Sequence, residues 1–218
     1  MNWPVFDAII KVGGSLYDQP NLPANLVIWA ALAGEHRLLF LPGGGPFAES
    51  VRAADARFQL SDSAAHWMAI LAMEQYAYLL ADLSAAATIV HDLGEAAAAC
   101  AAKKAPILAP AALLRQVDPL PHSWQVTSDS IAAWLAGYSR TQRLVLLKSV
   151  AGIFQESSKT LRSQISREKL VGSEVVDPYF AQALPPDTDC WLIDGGQPDR
   201  LGELLQSGRT IGTQVLGG

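Results

Sequence analysis

Residues 6–15 read Phe6-Asp7-Ala8-Ile9-Ile10-Lys11-Val12-Gly13-Gly14-Ser15. An apolar, β-branched run holding one lysine and stopped by a glycine pair is the pattern of a buried strand that ends in a tight turn. The next such run, residues 37–41, is stopped by Pro42-Gly43-Gly44-Gly45. Shorter runs recur at Thr88-Ile89-Val90, Pro106-Ile107-Leu108, Leu144-Val145-Leu146-Leu147 and Cys190-Trp191-Leu192-Ile193. Helical patterns lie between them, at 22–34, 46–58, 62–83, 93–102, 128–138, 177–184 and 199–206. Strand and helix alternate, so the predicted class is α/β with a mostly parallel sheet.

Residues 64–81 hold only His66, Glu74 and Gln75 as strongly polar side chains, and large apolar residues occupy every face. A helix apolar all round is buried on more than one side. It is either an internal helix or one packed across a homodimer interface. Residues 155–173 are the most polar stretch, and are expected to form a mobile, solvated loop or hairpin.

With 218 residues, half of them hydrophobic and 17% charged, the chain is rich enough in apolar surface to close a core and too rich for disorder. One domain is expected, with no length left for an appended module. The longest unbroken apolar run, residues 26–33, is far below the roughly 18 to 20 residues that cross a bilayer. The first residues lack the basic start and apolar stretch of a secretory signal. Cys100 and Cys190 stand alone, so they read as buried thiols of a protein in a reducing cytoplasm. Sixteen basic and twenty-one acidic residues, a net charge of −5, argue against nucleic acid or an anionic membrane as partner and leave small molecules. Lys11 is the only lysine among the first hundred residues, which carry ten carboxylates.

Four motifs carry chemistry. In Lys11-Val12-Gly13-Gly14-Ser15, glycines let backbone N–H groups approach an anion and the lysine adds a point charge, which makes a phosphate cradle. The alternative is a plain tight turn with a lysine at the strand end. The order of residues is neither that of a Walker loop nor GxGxxG. Gly43-Gly44-Gly45 forms a second strand-to-helix turn whose following helix offers free N–H groups, with Arg52 about two turns along it. Thr127-Ser128-Asp129-Ser130 opens a helix; Ser128 or Thr127 is placed to cap it, and a carboxylate in its first turn can hold a lysine ammonium. Lys148-Ser149-Val150-Ala151-Gly152-Ile153-Phe154 is a strand end running into a glycine turn.

Taken in this order, with Gly212-Thr213 closing the set, the four motifs resemble those of the amino acid kinase family over nearly the whole chain. The resemblance implies a three-layer α/β/α sandwich with an acceptor-binding lobe over about 1–125 and a nucleotide-binding lobe over about 126–218. It also implies ATP with Mg²⁺ and direct phosphoryl transfer. By that resemblance Lys11 and Asp129 are catalytic, with Asp129 organising the lysine. Gly13, Gly14, Ser15, Lys148, Gly152 and Phe154 are expected to bind nucleotide, while Gly43, Gly44, Gly45, Arg52, Trp124, Thr127 and Ser128 are expected to bind acceptor, Arg52 and Trp124 on the chemistry of a guanidinium and a flat ring. Charge spread over transferring oxygens is stabilised by fixed dipoles, a lysine and a metal, which needs no nucleophilic side chain. Many relatives carry an acidic residue where this chain has Ala151, and a second catalytic lysine has three candidates here, Lys148, Lys159 and Lys169.

The stretch from Leu120 to Ala132 resembles the archaeal and methylotroph branch of the family that phosphorylates an aminomethylfuranylmethyl phosphate to its diphosphate. The resemblance therefore implies a small phosphomonoester as acceptor, while the apolar helix at 64–81 carries the expectation of a homodimer or higher oligomer. In such a pocket Trp124 would stack on a flat furan ring, or fill the core. His122 would contact phosphate or a polar group, or be a satisfied loop histidine, and His66 reads as structural. A carboxylate kinase and a non-catalytic nucleotide-binding relative are the alternatives.

Overall fold

A computed structural model describes residues 6–155, 159–170 and 172–216. Eight strands form one sheet: β1 (Ala8–Val12), β2 (Leu38–Pro42), β3 (Ala87–Val90), β4 (Ala105–Leu108), β5 (Arg143–Lys148), β6 (Gln164–Ser166), β7 (Asp189–Asp194) and β8 (Thr213–Leu216). Their order is β3-β4-β2-β1-β5-β7-β8-β6, parallel except for the β7–β8 pair. The helices are α1 (Leu22–Ala31), α2 (Gly45–Phe58), α3 (Asp62–Asp82), α4 (Leu93–Ala101), α5 (Ala111–Val117), α6 (Ser128–Tyr138), α7 (Phe180–Ala183) and α8 (Asp199–Ser207).

The pleat sorts the strand residues into two cores. Ile9, Leu39, Leu41, Leu144, Leu146 and Leu192 face a cluster built with α4, α5 and α6. Ile10, Leu38, Phe40, Val145, Leu147 and Ile193 face a second cluster, built with α1 and α8. Because successive side chains of a strand point to opposite faces, and both faces are covered, the central strands are apolar throughout. This is the three-layer α/β/α sandwich expected from the sequence. Helix α3 serves both cores: Ile70 and Met73 enter the first, Tyr76, Ala77 and Leu80 the second. Its remaining stripe, Met68, Leu71 and Tyr78, is exposed. Among the described residues no helix is long and apolar enough to cross a membrane.

The predicted elements differ from the observed ones chiefly in the C-terminal half. The stretch 155–173, expected as a mobile, solvated loop or hairpin, begins with antiparallel pairing of the hairpin kind, Gln155 N donating to Thr160 O and Arg162 N to Ile153 O, and then adds β6, which pairs in parallel with β8, and a short 3-10 turn at Arg167–Leu170. Its residues 156–158 and 171 lie outside the described set, as do residues 1–5, on which the expectation about a secretory signal falls. Ile165 and Leu170 are the apolar anchors that hold this stretch to the first core; two residues separated by polar ones leave no readable period. The helix expected over 177–184 is confined to Phe180–Ala183, because Asp177 is engaged elsewhere. Helix α5 is absent from the expected elements, and Cys100 is half-buried rather than fully enclosed.

Candidate active site

β1 lies where the strand order turns back, with β2 on one side and β5 on the other. In open α/β sheets the crevice beyond the strand carboxyl ends at such a point is where ligands sit. The turns after β1 and β2 meet there. A Cβ on Gly14 would stand 2.6 Å from the backbone N of Gly45, and one on Gly43 would stand 2.7 Å from the backbone N of Gly14. Only residues without a side chain allow the two turns to touch, so these glycines serve backbone packing as well as any ligand. Gly45 has a φ of +51° and begins α2, whose cap residue Gly44 supplies no side-chain hydrogen bond. The first amides of that helix therefore lack intrahelical acceptors.

Lys11 lies on the same face of β1 as Ile9, and Lys148 on the same face of β5 as Leu144 and Leu146. That face is covered by α6, whose first turn carries Asp129. The three side chains converge: Lys11 Nζ is 2.8 Å from Asp129 Oδ1 and Lys148 Nζ is 2.6 Å from Asp129 Oδ2. Lys11 and Asp129 are each only 4% exposed. Burial pushes the Lys11 ammonium down to about 8, against the pull of Asp129. Burial opposes ionisation of Asp129 too, but Lys11 and Lys148 outweigh it and hold the carboxyl at about 2. The sequence leaves the second lysine among three candidates, and Lys148 is the one that meets Asp129; Lys159 and Lys169 are exposed.

The start of α6 is held from outside. Neither Thr127 nor Ser128 caps the helix with its side chain, contrary to expectation. The carboxylate of Asp177 accepts from Thr127 N at 2.9 Å, Thr127 Oγ1 at 2.7 Å and Ser130 N at 3.0 Å, and also from Ser130 Oγ. A carboxylate at a helix N-terminus satisfies orphan N–H donors and complements the dipole. Asp177 lies about fifty residues from the helix it caps, so no local signal marks it.

A cavity of about 420 Å³ opens beside this junction, lined among others by Gly14, Gly45, Arg52, His66, Trp124 and Ser128. Arg52 and Trp124 come together as expected, but their guanidinium and indole are stacked on one another, 4.1 Å from charge to ring centroid. One face of Trp124 is thus covered, and its Nε1 donates to Asp55 Oδ2 at 2.6 Å. His66, read as structural, lines the cavity, whereas His122 stands behind it, stacked on His66 with centroids 4.1 Å apart. On the other side of Asp129, Gly152 has a φ of +144°, and a Cβ there would stand 2.4 Å from Thr213 Oγ1. Thr213 Oγ1 accepts from Ile153 N and donates to Arg162 O, tying down the turn after β5. Phe154, 47% exposed, bridges to Leu161 at the rim of that turn.

What these groups can do is fixed by their charge: two ammoniums sharing one buried carboxylate, beside two stacked glycine turns and an uncapped helix N-terminus, form a seat for anionic oxygens.

The sequence model of the amino acid kinase family matches residues 8–175. The chain is 28% identical over 214 residues to the [5-(aminomethyl)furan-3-yl]methyl phosphate kinase of Methanocaldococcus jannaschii, covering 96% of this chain and 97% of that one. Among solved structures, a uridylate kinase from Archaeoglobus fulgidus superposes with a TM-score of 0.74 at 18% identity, covering 96% and 99% of the two chains. An isopentenyl phosphate kinase from T. acidophilum superposes with a TM-score of 0.62 at 17% identity, covering 95% and 99%. At those identities the superpositions speak for the fold.

Proposed function

We propose, from the premise that this chain belongs to the amino acid kinase family, that it is an ATP-dependent kinase converting a small phosphomonoester to a diphosphate. The acceptor we assign is [5-(aminomethyl)furan-3-yl]methyl phosphate, as in the archaeal relative. The observation that carries the reading is the buried Lys11–Asp129–Lys148 junction between the cavity and the turn after β5. Two fixed positive charges at that point suit a phosphoryl group passing between two anionic partners.

In this reading the acceptor phosphate lies in the cavity, against the amides that open α2 and the Gly14 turn. The nucleotide lies on the side of Lys148, Gly152 and Phe154, with Gly13 and Ser15 between the two. An acceptor oxygen attacks the terminal phosphorus in line, the bond to the nucleotide's bridging oxygen breaks, and the electron pair leaves on that oxygen. Lys11 and Lys148 offset the negative charge that spreads over the equatorial oxygens. Asp129 keeps both ammoniums aimed and charged. Both oxygens of Asp129 are taken by lysines, so this donor set fits phosphate oxygens, and Mg²⁺ would enter held by the nucleotide's own phosphates. Arg52 and Trp124 shape the acceptor wall, and Thr127 and Ser128 close it. The acceptor lobe spans about 1–125 and the nucleotide lobe about 126–218.

We extend the reading to a cytoplasmic homodimer that covers the exposed Met68, Leu71 and Tyr78 stripe of α3, with light scattering as the check on mass. The test of function is ATP consumption across a panel of phosphomonoesters and amino acids. Turnover confined to phosphomonoesters, highest with the aminomethylfuran phosphate, supports the proposal; turnover of a plain carboxylate acceptor, or none at all, sinks it.

A further inference from the structure

Helix α3 runs along the whole acceptor cavity and works as a ruler. Its Tyr76 lies against Gly45 at the phosphate end, 3.8 Å from where a Cβ would stand on that glycine. Met73, Ile70, His66 and Asp62 then line the cavity in turn toward the other end. At 1.5 Å per residue, His66 is about 15 Å along the axis from Tyr76 and about 10 Å from Met73. His66 and Asp62, one helical turn apart, therefore mark the end of the cavity remote from the glycine turns.

His66 is built into place. Its ring stacks on His122 at 4.1 Å with an interplanar angle of 17°, and packs edge-on against Trp67 at 5.2 Å. His122 is committed on both nitrogens, Nδ1 to Ser63 Oγ at 2.6 Å and Nε2 to Asp118 Oδ1 at 2.9 Å. Trp67 is covered in turn by the Arg115 guanidinium, 4.9 Å from the ring centroid. Among the described residues, the ring nitrogens of His66 itself have no hydrogen-bond partner. Near-parallel rings hold their in-plane lone pairs in separate planes, so the pair does not chelate one ion together with Asp118. The arrangement braces one imidazole and leaves its polar edge for a ligand. Burial, followed by the neighbouring His122, lowers the affinity of His66 for a proton, which keeps a lone pair available near neutrality.

We propose that His66, braced by His122 and seconded by Asp62, recognises the end of the acceptor opposite its phosphate, accepting a hydrogen bond from a primary ammonium. The inference rests on the functional reading above and deepens it. The cavity, whose lining also holds Asp18, Glu49 and Arg52, would then select a zwitterion carrying phosphate at the glycine turns and an amine beside His66 and Asp62.

The test uses the full-length enzyme with two acceptors, the aminomethylfuran phosphate and the same furan phosphate without its aminomethyl group. His66→Phe should raise KM for the amine-bearing acceptor by about 10- to 100-fold, an unmade hydrogen bond to a charged donor. It should leave kcat and KM for ATP unchanged and barely move the amine-lacking acceptor. His66→Gln, which keeps an accepting atom, should recover most of the loss, and Asp62→Asn should weaken the same discrimination. Equal losses on both acceptors would assign His66 to the phosphate end or to folding and overturn the proposal. So would an unchanged KM. A wild-type enzyme inert toward both furans but active on another phosphomonoester overturns the acceptor assignment first, and this proposal with it.

Discussion

Replacing Asp129 by asparagine preserves the shape of the side chain and removes its charge. Lys11 and Lys148 then lose the carboxylate they share at 2.8 and 2.6 Å, in a site nearly closed to water. Burial holds Lys11 at about 8 even with that partner present. A counter-charge about 4 Å from the ammonium centre, at an effective dielectric of about 20, contributes about 4 kcal/mol. Its loss raises the acid constant of the ammonium by a factor of about 10³, which places its titration near pH 5. Repulsion from Lys148 is already part of the wild-type value. In the proposed mechanism the active form of Lys11 is the protonated one, so activity should be lost as pH rises through its pKa. The wild-type kcat/KM should therefore fall above about pH 8. The variant should fall above about pH 5, with about a 10² to 10³ loss at pH 7, as for other lost transition-state partners. A coupled ADP-release assay over pH 5 to 9.5, alongside a melting curve to check folding, measures both. A variant that keeps its limb near pH 8, or loses less than tenfold, would refute the coupling of Asp129 to Lys11.

Asp177→Asn presents an amide N–H₂ to donors and leaves N–H groups of Thr127 or Ser130 unpaired, so denaturant unfolding should show a loss of about 2 to 4 kcal/mol. An unchanged midpoint would remove Asp177 as the cap of α6. Gly14→Ala drives a Cβ to 2.6 Å from the Gly45 backbone; separating the turns should cost about 1 to 3 kcal/mol and most of the turnover, read by melting and by assay. Arg52→Ala should raise acceptor KM about tenfold with little change in kcat, and an unchanged KM counts against its part in the acceptor wall. Lys11 titrates at about 8 in the fold against an ordinary 10.5. The unfolded chain thus binds more protons between those values, and the stability due to Lys11 rises with pH across that window by about 3 kcal/mol. Lys11→Met should flatten that rise in pH-dependent unfolding.

Much of this site is legible in the order of the residues alone. Lys11 and Asp129 stand out because a lone lysine before two glycines, and a carboxylate in the first turn of a helix, have few uses in an acidic chain. Lys148 is one of three candidates by sequence, although its place in Leu144, Leu146, Lys148 marks the face it shares with α6. His66 goes the other way: a histidine within an apolar helix is an ordinary core residue, and nothing local shows that its neighbours leave a cavity there. Trp124 and Arg52 are stacked on each other in the cavity wall, because a flat cation and the face of an indole attract one another, and no local signal announces that pairing.

What the chain determines by itself is the alternation of apolar strands and helices and the punctuation by glycine at the strand ends. Those are local properties, set by side-chain period and by backbone freedom, and they suffice for the α/β class and for the glycine turns that end β1 and β2. The closing strands β6 and β8 and the Asp177 cap depend on partners about fifty residues away, so only the tertiary structure decides them. The same holds for the sharing of one buried carboxylate by two lysines on separate strands, since burial and proximity exist only once the sheet is assembled.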